Sequence, residues 1–402
     1  MKRFTILTLM AIYPVAFAAD WPQFRGLNGS GTSDEKNLPI AFTEAEGLRW
    51  KSKLPARGVS SPVVVGNKAF VTCSGGANDD RLHVLAFDVT TGKELWHRQY
   101  AATGQTFCHP KTCMAAPTPV ADSKAVYALF ATADLVALDH DGNQLWYRSL
   151  TEDYPSICNQ VGMASSPILA KGKLIVPMEN SGDSFLAALD LESGKNLWKT
   201  PRPRESNWVT PVVREVNSQE VEVLFQNGKD MTAFDVETGK KKWSQKGGGS
   251  IPTGTVVEGG ALLMPLGAGS SLLKPKDKDW VEEWKAPKLI TGDTSPLYYD
   301  GRIYAANPRT GIVVSADAKT GKQIWDYKFQ GKQSFSASPL GADGKVYILT
   351  EKGTLTVFKA GGTEAEDLAT TEIGEECIAT PAISGGALFI RTDKNLICIG
   401  KK

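Results

Sequence analysis

The sequence predicts an all-β fold: an eight-bladed β-propeller of four-stranded antiparallel blades, closed by a strand near the N-terminus. Three observations support this prediction. A hairpin segment that ends in Trp recurs along the chain, a small residue followed by Pro recurs at a regular spacing, and the last repeat unit is one strand short. Periods of about 40 to 50 residues with four strands per unit are typical of propeller blades.

The hairpin segment is the strongest signal. Its first copy, residues 86–96, reads Ala-Phe-Asp-Val-Thr-Thr-Gly-Lys-Glu-Leu-Trp. Related copies lie at 137–146, 188–198, 233–243 and 315–325. In each copy the Asp begins a turn, where its carboxylate accepts backbone N–H groups, and the Gly supplies the positive φ of a tight hairpin. We expect the Trp to pack against the neighbouring repeat.

The small residue followed by Pro marks the start of each blade. The copies are Ser61-Pro62, Thr118-Pro119, Ser166-Pro167, Thr210-Pro211, Ser295-Pro296, Ser338-Pro339 and Thr380-Pro381, and Ile251-Pro252-Thr253-Gly254 fills the remaining slot. The steps are 41 to 48 residues, except for a first step of 57 residues that contains an insertion around Cys108 and Cys113. Small residues at this position indicate tight packing around a central axis.

The two ends of the propeller complete one blade. The last unit has three strands, near 380–383, 388–391 and 396–399, and the strand 48–54 has no hairpin before it. We expect this strand to close the ring, because closure removes exposed sheet edges. Seven blades are the alternative if the irregular fifth unit is not a blade. In the seventh unit an acidic insertion, 361–371, occupies the place of the hairpin.

The first 18 residues are typical of a secretory signal. Lys2 and Arg3 precede an apolar run that ends at Ala16-Phe17-Ala18, a signal-peptidase pattern. The run is short for a membrane span, and no Cys lies near the cleavage site. We therefore expect a periplasmic or extracellular protein that is not a lipoprotein and has no transmembrane segment in its mature form. Residues 19–47 are expected to form an arm whose Trp and Phe pack on the propeller, residues 48–402.

The charge balance argues against nucleic-acid binding. The chain carries 45 Lys and Arg against 44 Asp and Glu, a formal charge of +1 that falls to −1 without Lys2 and Arg3. A broad basic face of the kind that binds nucleic acid is therefore not expected. We also expect the protein to be a monomer. Export permits disulfides. A loop disulfide among Cys108, Cys113 and Cys158 is predicted, with Cys108–Cys113 as the candidate pair, whereas Cys73 and Cys398 are expected to be buried thiols.

The recurrent A-x-D-x-x-T-G-x-x-x-W pattern resembles the pyrroloquinoline-quinone (PQQ) repeat over about residues 48–400. Two kinds of protein share that repeat: quinoprotein alcohol dehydrogenases, which hold PQQ and calcium, and BamB-like outer-membrane assembly lipoproteins, which use it as a scaffold. The opening Trp-Pro-Gln-Phe-Arg-Gly is similar to that of secreted PQQ-like repeat proteins. The chain lacks the Cys-Cys pair of the dehydrogenases, and its only Asp-Tyr pair, Asp153-Tyr154, lies in a polar connector.

Polar residues in two sets of loops point to a site on the axis. The connectors between blades and the loops between second and third strands should meet on one face of a propeller. The candidate ligand or partner residues there are Arg57, His109, Asn159, Asn207, Trp208, Asn227, Lys229 and Arg309. Glu179 and Asn180 are oxygen donors of the kind that calcium takes, although an ordinary polar turn explains them better.

These observations predict a binding or scaffolding module for protein or cell-envelope partners, with no intrinsic catalysis and no cofactor. The alternative is a PQQ- and calcium-dependent quinoprotein dehydrogenase of reduced size. A polysaccharide-binding or hydrolysing propeller is a third hypothesis, and it requires paired carboxylates at the axis. Glu179 and Asp293 are the candidates for such a pair.

Overall fold

The computed structural model describes residues 19–43, 45–158, 161–276 and 279–401. These residues form eight sheets, which are the blades of a β-propeller, and the four blade strands of each sheet are antiparallel. In blades 1 to 7 the four strands follow one another from the axis outward and are lettered a to d. The prediction of eight four-stranded blades is confirmed.

Blades 1 to 4 are simple antiparallel meanders. The strands are Val63–Val65, Lys68–Gly75, Arg81–Asp88 and Glu94–Ala101 in blade 1; Val120–Ala121, Ala125–Leu129, Asp134–Asp139 and Gln144–Ser149 in blade 2; Ile168–Ala170, Lys173–Met178, Phe185–Asp190 and Asn196–Pro201 in blade 3; and Val212–Glu215, Val221–Gln226, Asp230–Asp235 and Lys241–Lys246 in blade 4. A single helical turn, Leu150–Asp153, follows blade 2.

Blades 5 to 8 include the irregular units. The strands are Thr255–Val256, Leu262–Pro265, Ser270–Lys276 and Asp279–Ala286 in blade 5; Leu297–Tyr299, Arg302–Asn307, Ile312–Asp317 and Gln323–Lys328 in blade 6; Leu340–Ala342, Lys345–Leu349, Thr354–Lys359 and Asp367–Glu372 in blade 7; and Ala382–Ser384, Ala387–Arg391, Asn395–Gly400 and Leu48–Lys53 in blade 8. Short 3-10 turns lie at Leu27–Gly29 and Glu258–Gly260.

Three sequence predictions are resolved by these bounds. Blade 5 has four paired strands, so the seven-bladed alternative is wrong. Leu48–Lys53 pairs antiparallel with Asn395–Gly400, which closes the ring as expected. The segment 361–371 does not replace the hairpin of blade 7, because most of strand Asp367–Glu372 lies within it. Only the Asp-Gly-Trp pattern is missing there.

At five junctions between blades, the Trp at the outer strand of one blade packs on the hairpin Gly of the next blade. The indole of Trp146 donates to the Leu191 carbonyl of blade 3 at 2.8 Å. A methyl group added to Gly194 would lie 2.7 Å from that indole ring, and Gly194 has a φ of 67°. The hairpin Gly is therefore needed both for the turn and for room under the Trp. Equivalent pairs are Trp50 with Gly92, Trp96 with Gly142, Trp198 with Gly239 and Trp284 with Gly321.

The N-terminal arm runs below the axial face along the innermost strands. Trp21, 2% exposed, pairs with Val64 of blade 1. Further contacts are Pro22 with Ala121 of blade 2, Gln23 with Leu169 of blade 3, Arg25 with Thr255 and Pro296 of blades 5 and 6, and Thr32–Ser33 in parallel with Leu340–Ala342 of blade 7. The arm thus ties strand a of one blade to that of many others. Among the described residues, no helix is long and apolar enough to cross a membrane.

Candidate functional site

A cavity of about 440 Å³ opens on the axis where the connectors between blades meet. We call this cavity the axial vestibule. Its wall carries one hydroxyl residue from every blade, and Phe24 of the N-terminal arm lines it from below. The eight residues are Ser61, Thr118, Ser166, Thr210, Thr253, Ser295, Ser338 and Thr380, and we call them the hydroxyl belt. All eight blades therefore contribute to one site.

The hydroxyl belt explains why a Ser or Thr precedes Pro in most blades. The backbone N–H of each of seven belt residues donates to the hydroxyl oxygen of the belt residue in the next blade, at 2.9 to 3.1 Å. A following Pro has no N–H group that would be left unpaired at this crowded position. In blade 5 the belt residue is Thr253, which follows Pro252 instead of preceding a Pro.

The mouth of the vestibule is spanned by the connector between blades 1 and 2. Lys111 of this connector reaches across the axis, and its Nζ lies 3.4 Å from Asp293 Oδ2 and 2.7 Å from Glu351 Oε1. Asp293 precedes blade 6, and Glu351 lies in the b–c loop of blade 7. Burial disfavours the ammonium, but its bonds with the two carboxylates raise the pKa of Lys111 above 10.5 overall.

Arg57 fixes this connector in place. Its Nη1 donates to the carbonyls of Pro110 and Thr112, both at 2.9 Å. Its Nε lies 3.2 Å from Asp393 Oδ2, so the Arg57 charge is balanced by a neighbouring carboxylate. The connector is therefore held over the mouth from blade 8 as well as from its own ends.

The remaining wall is aromatic and apolar. Trp208 lines the vestibule half-buried, and its indole N–H donates to the Gly162 carbonyl at 2.8 Å. Its backbone N–H donates to the Ser250 carbonyl at 2.8 Å, which fixes the residue from a second side. Ile251 and Ile378 lie on the same wall, and Ile251 is 42% exposed. A ligand in the vestibule would meet hydroxyls below and apolar surface at the side.

The structure brings only part of the predicted site together. His109 and Trp208 line the vestibule, and Arg57 supports its mouth. Asn159 lies outside the described residues. Three others do not line the vestibule. Asn227 is buried and caps a turn by accepting the N–H groups of Lys229 and Asp230. Lys229 pairs with Glu205, and Arg309 is exposed in the b–c loop of blade 6.

Asn207 is adjacent to Trp208 but serves a buried network. Its Nδ2 donates to Glu179 Oε2 at 2.5 Å and to the Gln226 carbonyl at 2.8 Å. Glu179, 1% exposed, also accepts from Arg202 Nε, and the Arg202 guanidinium lies 5.1 Å from the centre of the Phe225 ring. Burial raises the pKa of Glu179 to about 7, against the opposing effect of Arg202.

The hydrogen bonds of Glu179 and Asn180 show whether their side-chain oxygens are available to bind calcium. The guanidinium of Arg202 already takes the place beside the Glu179 carboxylate where a cation would sit. Asn180 Oδ1 accepts the N–H groups of Cys158 and Gly182, which is an ordinary turn arrangement. The oxygens proposed for calcium are thus engaged by protein partners. No cluster of three or more His, Cys, Asp or Glu that could hold a metal occurs within the described parts of the chain.

The vestibule also does not match the charge of PQQ, which carries three carboxylate groups. The cation that lines it, Lys111, is shared between Asp293 and Glu351, so these three groups sum to a negative charge. A tricarboxylate by itself would meet this negative charge, and among the described residues that line the vestibule no Lys or Arg besides Lys111 offsets it. The vestibule therefore offers the quinone no unpaired Lys or Arg among the described residues, whereas Asp293 and Glu351 are carboxylates of the kind that calcium takes. Glu179 and Asp293, the candidate carboxylate pair of the polysaccharide hypothesis, are each paired with a cation. Glu179 pairs with Arg202, and Asp293 pairs with Lys111.

The six cysteines are free thiols in the structure. Cys113 is fully buried, and Cys108 is half-buried with a pKa raised to about 11 by its burial. The Cys108–Cys113 bridge is not formed here and stays a prediction. Cys73 and Cys398 are fully buried, as expected, and Cys73 Sγ lies 3.2 Å from Arg391 Nη2.

Sequence comparison identifies the family. The model of the family described as "Outer membrane protein assembly factor BamB" matches residues 32–207 and 170–402, which together exceed half of the chain. The chain belongs to this family. The resemblance to the PQQ-like repeat family, predicted from the hairpin motif, is confirmed.

Individual relatives carry two different names. Outer membrane protein assembly factor BamB of Burkholderia pseudomallei is 22% identical over 86% of the chain and 97% of its own length. Polyvinylalcohol dehydrogenase of Sphingopyxis sp. is 26% identical over 77% of the chain and 51% of its own length. That of Pseudomonas sp. is 28% identical over 54% of the chain and 39% of its own length. The chain thus spans about half or less of these dehydrogenases.

Solved structures show the same fold. BamB of Moraxella catarrhalis superimposes with a TM-score of 0.63 at 15% identity, over 88% of this chain and 97% of that chain. Quinohemoprotein alcohol dehydrogenase of Comamonas testosteroni superimposes with a TM-score of 0.69 at 16% identity, over 96% and 81% of the two chains. At this identity the likeness concerns the fold alone, which does not determine function.

Proposed function

We propose that this chain is an exported binding module that holds a protein or cell-envelope partner at the axial vestibule, without catalysis of its own. The observation that carries the proposal is the mouth of the vestibule, where Lys111 is paired with both Asp293 and Glu351. Such pairing leaves none of these three groups as a free acid, base or anion clamp. The open cavity, the fixed Trp208 and the exposed Ile251 instead suit a side chain supplied by a partner.

The relatives support the same preference. The BamB relative of Burkholderia pseudomallei is matched over 97% of its length, whereas the first polyvinylalcohol dehydrogenase is matched over 51%. The second candidate function is a PQQ- and calcium-dependent dehydrogenase of reduced size. It is favoured by the dehydrogenase relatives and by Trp208, a flat ring on the vestibule wall.

A quinone titration separates the two functions. We expect the purified protein mixed with PQQ and calcium to show no stoichiometric quinone uptake in its absorbance spectrum, and no alcohol-dependent dye reduction. The physical reason is that the carboxylates of the quinone would meet no unpaired Lys or Arg among the described residues that line the vestibule. Stoichiometric uptake with turnover would overturn the binding-module proposal.

A crosslinking experiment tests partner binding directly. A photo-crosslinking residue at position 251, on the rim of the vestibule, should capture a partner in intact cells. The matched control is position 145 on the outer strand of blade 2, because Leu145 is 49% exposed and Ile251 is 42% exposed. Equal capture at both positions, or none at position 251, would contradict a partner site on the axis.

A further inference from the structure

Lys111 behaves as a cationic side chain bound inside the vestibule. It comes from the connector between blades 1 and 2, yet its ammonium is held by Asp293 and Glu351 from the far side of the ring. The side chain is 39% exposed, so water reaches the ion pair and the ammonium is not locked in the core. The ion pairs of Lys111 therefore show where the vestibule binds a positively charged group, between Asp293 and Glu351.

The acceptors around this ammonium are set in place by other contacts. Glu351 Oε1 accepts from the hydroxyls of Ser334 at 3.1 Å and Ser336 at 2.7 Å. Burial acts to raise the pKa of Glu351, but the bonds from Lys111 and these hydroxyls hold it below 4.5 overall. The carboxylate thus stays charged at neutral pH while the Lys111 ammonium is bound to it.

The charges at the mouth do not cancel. Two carboxylates face one ammonium. Arg57 is balanced by Asp393. One negative charge is left at the opening of a cavity that also carries an aromatic ring, Trp208, which favours a cation on its face.

We propose that the axial vestibule receives a protonated amine or guanidinium, the Lys or Arg side chain of a protein partner, which takes the place of Lys111 between Asp293 and Glu351. This inference rests on the proposed function and names the chemistry of the occupant. Lys111 is then an internal competitor that keeps the acidic mouth paired until a partner arrives.

The exchange needs only a side-chain rotation. Arg57 holds the connector through the carbonyls of Pro110 and Thr112, and neither contact involves the Lys111 ammonium. The ammonium swings into water while the backbone stays in place. Because exchange between one partly exposed ion pair and another changes little free energy, the affinity difference should be modest.

Labelled peptides of one length test this inference by fluorescence anisotropy at low ionic strength. The probes are a lysine hexapeptide, a glutamate hexapeptide and a glycine-serine hexapeptide. We expect the lysine peptide to bind and the other two not to bind. Lys111→Met should raise the affinity for the lysine peptide about fivefold, because it removes the competitor. Asp293→Asn combined with Glu351→Gln should lower it about tenfold.

A matched control is Lys359→Met, which breaks the exposed pair of Lys359 and Glu366 on the outer part of blade 7 and should change nothing. Melting temperatures close to that of the wild type show that the variants are folded. Preference for the glutamate peptide, or an unchanged or lower affinity in Lys111→Met, overturns the inference. If the peptides fail while position 251 still crosslinks, the cationic occupant is wrong and the binding-module proposal stands.

Discussion

Trp146→Ala should lower the free energy of unfolding by about 4 kcal/mol, the range for a buried aromatic residue truncated to Ala. The indole is 8% exposed and lies against Gly194 of the next blade, and its N–H donates to the Leu191 carbonyl. Truncation leaves a cavity between blades 2 and 3 and an unpaired carbonyl. Urea-induced unfolding followed by circular dichroism measures the loss.

Two companion variants show whether the interface between blades is responsible. Gly194→Ala should cost about 3 kcal/mol, because φ is 67° and the new methyl would lie 2.7 Å from the Trp146 ring. Leu145→Ala, at the neighbouring position, is the control and should have a small effect because Leu145 is 49% exposed. A Trp146→Ala protein within about 1 kcal/mol of the wild type would contradict the role of this Trp as a lock.

The fold was predictable because its signals are local. Asp, Gly and Trp of each hairpin are set by a single turn, and the turn repeats. The hydroxyl belt was visible only as a spacing of small residues before Pro. Its chemistry was not predictable, because the N–H of Ser166 finds its acceptor, Thr210, in the next blade 44 residues later. Such a contact exists only after the ring has formed.

The candidate site was harder to predict. A polar residue in a connector either faces the axis or folds back into a turn, and the sequence does not distinguish the two outcomes. Asn207 and Asn227 fold back, whereas Trp208 faces the cavity. Lys111 was missed as a site residue because its partners, Asp293 and Glu351, are brought to it across the axis.

The N-terminal arm shows the same limit. Its apolar residues were expected to pack on the propeller, and Trp21 does. Arg25 is fully buried as well, where desolvation lowers its pKa to about 9. Its Nη2 donates to the Pro296 carbonyl at 2.7 Å and to Thr255 Oγ1 at 3.1 Å. From the sequence alone, Arg25 would be predicted to lie on the surface, because charged residues are seldom fully buried.

Arg202→Met should be the most pH-dependent of the stability variants. Arg202 neutralises Glu179, and both side chains are at most 5% exposed. Removal of one partner of a buried ion pair leaves the other charge uncompensated, which costs about 3 kcal/mol or more. We expect a loss of that size at pH 8, where Glu179 of the wild type is mostly ionised. Urea unfolding at a series of pH values measures it.

The sign of the pH dependence follows from the raised pKa of Glu179, about 7 in the folded protein against 4.5 for an unperturbed carboxyl. Between these values the folded chain holds a proton that the unfolded chain has lost, so stability falls as the pH rises from about 4.5 to 7. Without Arg202 the pKa rises further. At pH 5 the carboxyl is neutral in both proteins, and the loss should be smaller by about 1 kcal/mol, because the two proteins diverge only above the wild-type pKa of about 7.

A double variant separates the charge from the packing. Glu179→Gln combined with Arg202→Met keeps the approximate shape of both side chains and removes both charges, so it should recover most of the stability at pH 8 and show little dependence on pH. The new side-chain amide at position 179 still offers the Asn207 amide an oxygen acceptor when it is oriented toward it. An equal loss for Arg202→Met at pH 5 and pH 8 would mean that its stacking on Phe225, and not its charge, stabilises the junction of blades 3 and 4.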